Sequence, residues 1–516
     1  MTIFFRLLES DDKGTALHQA IQQLAQQQPN PITFAVEPES FQQVPKSPFA
    51  YWTSEKVRHF FVEYADKEIN HEARCGMGTL DNFRFLRLNW EIPKLLLEKR
   101  YIRYAKGGQF SFFYSDIYIV LNWGIDGREV KQFVEQRVGS ASRKIQAESY
   151  YFRQGLTYSS RSQKGLSIRV MPQRCIFSDK GSAVFHKSDD LEELLALLAI
   201  LNSTTFRFLI DLQMTFGSYE VGTIQSTPIP DLEKDTLRVL ANWSRNAWSL
   251  KRNLDTVTQT SHAFVLPALL QVNGSSLSDR AQTWANHIAE VEAQLTQIQT
   301  EIDELAFELY DIGESDRLSV SSSPIATSSD DQTDEEDESL EAIADPLSLT
   351  KEMLAYALGV AIGRFDVRLV TGDRELPAEP EPFDPLPVCS PGMLVDENGL
   401  PPTEARSLPA DYAIVIPFNG ILVDDEGHPN DIIRHLRDVL KIIWGDQDSD
   451  IEQETCDLLK NSSLKVSSLR DYFRKPAAFF NDHLSRYSKS RRQAPLYLPL
   501  STRSSSYSTF HFYGVQ

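Results

Sequence analysis

The sequence predicts an α+β protein: a mixed, strand-rich first region, then a helical hairpin, then a mainly helical last region. Three observations predict it. Short alternating apolar runs punctuated by glycine fill the first 232 residues, a long 3-4 apolar repeat follows them, and a serine-rich, acidic stretch interrupts all periodicity before helical spacing resumes. At 516 residues the chain is too long for one ordinary core.

Within residues 1–232, GTALHQAIQQLAQQ predicts an amphipathic helix with Leu17, Ile21 and Leu24 on one stripe. Strands are expected over residues 83–92 (FRFLRLNWEI), 110–123 (FSFFYSDIYIVLNW), 166–171 (LSIRVM) and 175–179 (CIFSD). Gly107-Gly108, Gly124, Gly127, Gly165 and Gly181 mark the turns between them. Residues 191–212 read as a buried helix with a short continuation. Strands are expected to predominate in this region.

Residues 233–313 carry Ile288, Val291, Leu295, Ile298, Ile302, Leu305 and Leu309 in strict 3-4 spacing, an a/d seam. The seam suits packing inside the chain or a dimerisation zipper. An upstream segment with Leu237, Leu240, Trp248 and Leu254 on one broad face predicts its antiparallel partner. Residues 314–346 are expected to be a disordered acidic linker, because DDQTDEEDESLE gathers eight acids with almost nothing to bury. In residues 347–516, helices are expected over 347–362 and 431–444, and the prolines of 377–409 enforce an extended loop.

The net charge of −20 argues against indiscriminate nucleic-acid binding, although the acidic linker distorts that sum. No run approaches the roughly 18 apolar residues of a membrane span. The opening MTIFFRLLESDDKG turns acidic before any leader-like stretch forms. A cytoplasmic protein with no membrane partner is expected. Cys75, Cys175, Cys389 and Cys456 are too scattered for a zinc knuckle and are expected as reduced thiols.

Several chemistries lack their residues. No glycine-rich turn follows a strand, and GxxxxGK[ST], HExxH and GxSxG do not occur. An Asp/Asn-Pro-Pro-Tyr/Phe loop, which would grip the exocyclic amine of a flipped base, is missing too. Asn30-Pro31-Ile32-Thr33 has one proline, and Pro401-Pro402 has the wrong neighbours. Asp424-Asp425-Glu426 is an acidic triplet without the lysine of a nuclease centre.

Two segments are locally basic. Between Arg137 and Lys187 lie Arg143, Lys144, Arg153, Arg161, Lys164, Arg169, Arg174 and Lys180, interleaved with Tyr150, Tyr151, Phe152 and Tyr158. Such cations neutralise phosphates and reach base edges, and the aromatics offer stacking surfaces; a solvated face over an aromatic core has the same composition. Near the end, Arg486, Lys489, Arg491 and Arg492 place four cations within seven residues. They suit a phosphate-facing segment or an exposed helix end.

The phrases SPFAYWTSEKVRHFF, GMGTLDNFRFLRLNWE, RYAKGGQF, YYFRQGLTYSSRS, RVMPQRCIFSDKGSAVF, LLALLAILNSTTFRFLIDLQMTFGSYEVGTIQSTPIP and YFRKPAAFFNDHLSRYSKSRRQAPLYLPLST recur in order. In them the chain resembles the C-terminal portion of large adenine-specific DNA methyltransferases, the type IIG restriction–modification enzymes and the PglX-type enzymes of BREX phage defence. The resemblance covers most of the chain outside the acidic linker. It implies a target recognition domain followed by helical spacers, preceded in the family by a domain that binds S-adenosylmethionine and carries Asn-Pro-Pro-Tyr. The chain looks as if it begins after that domain and stops, at TFHFYGVQ, before its relatives do.

Carried onto this sequence, the resemblance implies that Thr79, Asn82, Arg84, Lys106, Gly107, Gly108, Arg153, Thr157, Ser159, Arg161, Ser167, Arg169 and Lys180 lie near DNA. Lys489, Arg491 and Arg492 join them from the second basic segment. One departure stands out: where the family pattern has a Gly-Asp or Gly-Asn pair, this chain has Leu80-Asp81. The expected function is sequence recognition on double-stranded DNA for a methyltransferase subunit or domain that holds the S-adenosylmethionine, with no cofactor, metal or catalytic residue in this chain. Replacing Arg153, Arg161 and Arg169 together should then abolish binding. A defence-system interaction scaffold and a non-functional truncated methyltransferase are the competing expectations.

Overall fold

A computed structural model describes residues 1–8, 10–64, 69–214, 218–321, 345–464, 466–502 and 505–512. The fold is α+β, as the sequence predicts. Strands do not predominate in the first region as expected: they are short, three to six residues each, and helices supply more of its described residues.

Those strands run β1 Thr2–Phe5, β2 Thr33–Val36, β3 His71–Arg74, β4 Leu86–Leu88, β5 Tyr101–Ala105, β6 Ile119–Asn122, β7 Gly155–Ser159, β8 Ile168–Met171, β9 Cys175–Phe177 and β10 Gly181–His186. β1 and β2 pair by themselves. The rest form two four-stranded sheets, ordered β3-β10-β7-β8 and β4-β6-β5-β9. All pairs are antiparallel except β5 with β9.

Two expected strands shrink for local reasons. Asp81 caps the amide of Arg84 at 3.0 Å, so Asn82–Phe85 coils into a helical turn and only Leu86–Leu88 extends. In the 110–123 run, Phe113 takes a left-handed φ of 67°, which breaks extension until Ile119. The predicted first helix forms at Lys13–Ala25, but Ile21 and Leu24 are exposed and Ala20 is its one buried residue.

The sheets meet along one seam. Ser178 donates its amide to the carbonyl of Ala105 (2.9 Å), and its Oγ accepts the amides of Lys180 (3.0 Å) and Gly181 (2.8 Å). A Cβ on Gly181 would stand 2.3 Å from the Gly107 amide nitrogen, so only glycine permits this approach.

The predicted hairpin forms from Lys234–Asp255 and Leu277–Leu309, helices of 22 and 33 residues. It is built into the first region's core. Leu240, Ala247 and Trp248 of one helix and Ile302, Ala306 and Phe307 of the other share a cluster with Leu156, Ile168 and Val184 of β7, β8 and β10. The helix Leu191–Asn202, buried from Leu194 to Asn202, lies between sheet and hairpin. Leu295, Ile298, Leu305 and Leu309 of the a/d seam pack partly buried against the same core. Each fully buried large apolar side chain of this core, such as Leu240 or Ile302, stabilises by about 2 kcal/mol, and the partly buried seam residues by less.

Glu314–Ser321 is helical, although it falls at the start of the expected linker. The acidic run lies outside the described residues. In the last region, helices Pro346–Ala361 and Ile432–Trp444 form where expected, each N-capped by an aspartate, Asp345 and Asp431. The expected loop over 377–409 forms without strand, interrupted only by a short 3-10 turn at Ala405–Ser407. A second apolar core joins these helices to Asp448–Lys460 and Leu469–Arg474 and reaches back to Leu277, Trp284 and Ile288 of the long hairpin helix.

Among the described residues no single helix is long and apolar enough to cross a membrane. Leu191–Asn202 and Thr204–Leu212 together have that composition, but they bend by 64° and most of their residues are buried in the core.

Candidate nucleic-acid interface

The site grows from the seam between the sheets. Where β5 ends, Lys106-Gly107-Gly108 turns over the start of β10, with φ of 91° and 145° at the two glycines. Ser159, at the end of β7, holds that turn twice: its Oγ donates to the Gly108 carbonyl at 2.8 Å and accepts the Gly108 amide at 3.1 Å. Arg169 on β8 braces the same loop from below, donating to the Gln109 carbonyl (2.6 Å) and to Ser159 Oγ (3.1 Å). A small cleft of about 30 Å³ opens here, lined by Lys106, Gly107, Thr157 and Arg169 on one side and by Ser115 to Ile119 on the other.

The second basic segment arrives at the same place. Two short strands, β11 Ser488–Lys489 and β12 Arg492–Gln493, pair around Ser490 and Arg491. Both turn residues are left-handed (φ 53° and 61°), as a two-residue hairpin requires. Lys489 Nζ sits 5.0 Å from the ring of Tyr118, which lines the cleft, and the Tyr118 and Ser490 hydroxyls are 2.9 Å apart. Trp90 fixes the hairpin's base: its indole donates to the Ala494 carbonyl at 3.1 Å and its ring meets Tyr487 edge-on at 5.8 Å. Arg492 donates to the Asn82 carbonyl, lies 5.4 Å from the Phe83 ring and pairs with Glu91 at 3.6 Å. Burial lowers the affinity of the Lys106 ammonium for its proton, and the positive charge of Arg492 adds to that effect against Asp179.

Thr79, Asn82 and Arg84 form the rim. Thr79 Oγ1 donates to Asn82 Oδ1 at 2.7 Å, and Arg84 pairs with Glu129 at 2.8 Å. Between them Leu80 stands with φ 59°. Leu80 thus carries a bulky side chain on a conformation natural to glycine, at a cost of about 1 kcal/mol.

The structure does not gather every residue that the sequence singles out. Thr157, Ser167 and Arg169 are buried. Thr157 Oγ1 donates to the Ser182 carbonyl (3.1 Å), and Ser167 Oγ accepts the Ser111 amide (3.3 Å). Arg169 is 2% exposed, a pillar under the glycine loop and not an open cation. Arg153 pairs with Asp189 (2.7 Å) and lies against Tyr150 and Phe185, at the end of β10 remote from Gly181. Gly181 to His186 spans roughly 16 Å of strand. Arg161 and Lys180 are exposed near the cleft end, where Arg161 bridges Ser218. Arg486 is drawn inward to Glu352 at 2.7 Å.

Beneath the cleft lies a polar pair that sequence reasoning missed. Asp116 Oδ1 and His262 Nδ1 are 2.5 Å apart and almost wholly buried. Burial pushes the Asp116 carboxyl up, but His262, Lys489 and Arg103 together hold it below the usual range. Tyr118 and Phe83 were missed as well, because both fall inside runs that read as strands. Among the described residues no His, Cys, Asp or Glu cluster could hold a metal ion. Asp424, first of the acidic triplet, is taken by Arg470 (2.6 Å) and Arg474 (2.5 Å). All four cysteines are free thiols. A larger cavity, about 470 Å³, lies near the far end of β10, lined by His71, His186 and mostly apolar side chains such as Phe61, Leu197 and Ile229.

No protein-family model matches the chain. It is similar to an adenine-specific methyltransferase PglX of Lacticaseibacillus casei (strain Zhang), 24% identical over 354 residues, which takes in 64% of this chain and 27% of the relative. It is also similar to an adenine-specific methyltransferase BrxX of Escherichia coli O9:H4 (strain HS), 21% identical over 488 residues, 87% of this chain and 36% of the relative. The chain is thus a distant homologue of adenine-specific methyltransferases and spans between a quarter and two fifths of the length of these curated relatives.

Proposed function

We propose that this chain recognises double-stranded DNA on behalf of an adenine-specific methyltransferase of a BREX-type or restriction–modification defence system. The observation that carries the reading is that the C-terminal basic hairpin, Lys489 to Arg492, packs beside the cleft lined by Lys106 and Arg169, with Lys489 over the cleft residue Tyr118 and Arg492 on Asn82. The turn braced by Ser159 and Arg169 suits positioning on phosphates, and the exposed cations Arg161, Lys180 and Arg491, held at the ends of short strands and bridges, suit contacts to backbone or base edges. The target adenine would be methylated by a separate domain or subunit that binds S-adenosylmethionine, since this sequence offers neither a glycine-rich cofactor turn nor an Asn-Pro-Pro-Tyr loop.

Anisotropy titrations of the full chain on labelled duplexes test the reading. A recogniser that neutralises six to ten phosphates loses roughly a thousandfold or more in affinity between low and moderate salt. The more informative substitutions are at Lys106, Lys489 and Arg491, because Arg169 is buried under the glycine loop and Arg153 is paired with Asp189. Their joint replacement by Ala should cut affinity and flatten the salt dependence with the fold intact. Binding that is insensitive to salt and to these changes contradicts the reading. So does labelled-methyl transfer to DNA by the purified chain alone.

A further inference from the structure

Leu80 and Phe83 sit together on one turn and are out of place for a folded interior. Phe83 is 82% exposed and Leu80 44% exposed, in a turn whose other large apolar residue, Phe85, is fully buried. The turn itself is rigid. Asp81 caps the Arg84 amide, Gly78 donates its amide to the Lys144 carbonyl at 2.8 Å, and Arg87 donates to the Phe83 carbonyl at 2.7 Å. Leu80 holds a left-handed backbone that bulky residues avoid, while its side chain stays 44% exposed. Cations flank the pair: Arg84, Arg87 and, from the C-terminal hairpin, Arg492 beside the Phe83 ring.

Exposed apolar side chains on a stiff support, ringed by arginines at the rim of a basic cleft, match the needs of a residue that enters a base stack. The apolar group separates neighbouring base pairs while the cations hold the phosphates on either side. We infer that Leu80 and Phe83 form a wedge that inserts at a base step of duplex DNA, unstacks it and bends the helix toward the cleft. The inference rests on the DNA-reading role proposed above and adds to it the residues that deform the duplex.

Duplexes selected from a random pool by the full chain, carrying a donor and an acceptor dye at their ends, provide the test. Energy transfer reports bending, and 2-aminopurine placed along the selected site reports unstacking. The native chain should raise both signals. Phe83→Ala should abolish the 2-aminopurine increase and most of the bend and weaken binding roughly tenfold, with the salt slope unchanged, because no phosphate contact is lost. Phe83→Trp should restore both signals, and Leu80→Gly should reduce the bend without harming the fold. Native-like bending and unstacking by Phe83→Ala overturns the wedge and leaves DNA reading standing. Failure of the native chain to enrich any duplex overturns DNA reading itself, and the wedge with it.

Discussion

Arg492 donates to the backbone carbonyl of Asn82 across 3.2 Å, although 410 positions separate the two residues in the chain. With Trp90 bonded to Ala494, this contact makes the cleft a joint product of the first and last regions. Leu88, Trp90 and Tyr487 bury the apolar side of the junction, leaving the cations of the hairpin at its edge.

Arg492→Ala should therefore have two separable effects. Its ion pair with Glu91 is long, at 3.6 Å, though largely shielded from solvent, so stability falls by about 1 kcal/mol in a urea titration. If Arg492 touches a phosphate in the complex, the slope of log affinity against log salt shrinks by about 0.9.

Arg169→Lys should damage the fold more than Arg492→Ala. A lysine cannot span the Gln109 carbonyl and Ser159 Oγ together, and an uncompensated buried charge or acceptor costs about 3 kcal/mol. Chemical denaturation measures the loss, and accelerated proteolysis at Lys106 or Lys180 should accompany it.

Leu80→Gly should stabilise the protein by up to about 1 kcal/mol. Relief of the left-handed strain exceeds the extra freedom that glycine gives the unfolded chain. A lower melting temperature for this variant would mean that the Leu80 side chain makes contacts that outweigh the strain.

Acid should weaken the fold through two buried histidines. Burial, with the charges of His186 and Lys187, holds His71 down to about 4; burial, with Arg486 and Arg364, holds His483 down to about 2. His483 Nε2 accepts the amides of Leu496 (2.9 Å) and Tyr497 (3.1 Å), which requires the neutral ring. The folded values lie below the unfolded one near 6.5, so the unfolded chain binds protons first as pH falls. The contribution is complete above about pH 6.5 and is lost progressively toward pH 4 and below. Each histidine then accounts for about 2 kcal/mol of lost stability at pH 5. Asp211, raised by burial to about 6, works in the opposite sense over the same range. Comparison of the native chain with His483→Gln isolates the histidine: the variant should show a flatter fall between pH 6.5 and 4.

Asp424→Asn should destabilise by about 1 kcal/mol, because Arg470 and Arg474 lose their shared carboxylate while Arg470 keeps Asp431 and Arg474 is partly exposed. Chelator should leave the melting temperature of the native chain unchanged. A chelator-dependent shift would point to a metal among residues that the sheets and helices do not gather.

Much of the helical part was legible along the chain. Leu191–Asn202, Leu277–Leu309, Pro346–Ala361 and Ile432–Trp444 each announce themselves by apolar spacing and an acceptor at the cap. The strands around the cleft were legible in place but not in extent. One capping carboxylate at Asp81 and one left-handed residue at Phe113 override the alternation, and single-residue geometry of that kind has no periodic signature. The candidate site was legible only in parts, as the basic segment around residues 486–492 and, by resemblance, Lys106 with its glycines, and no spacing rule connects residues more than 300 positions apart.

The sequence alone determined that the chain alternates strands with glycine turns, carries a long apolar seam and holds its cations in two clusters. These are properties of neighbours along the backbone, where side-chain period and charge density act locally. Only the tertiary structure decided that Arg169 is buried under the glycine loop, that Arg153 pairs with Asp189, that Lys489 reaches Tyr118 of the cleft Lys106 lines, and that Phe83 stays in the open. Burial and pairing decide those roles, and they exist only once distant segments have packed against each other.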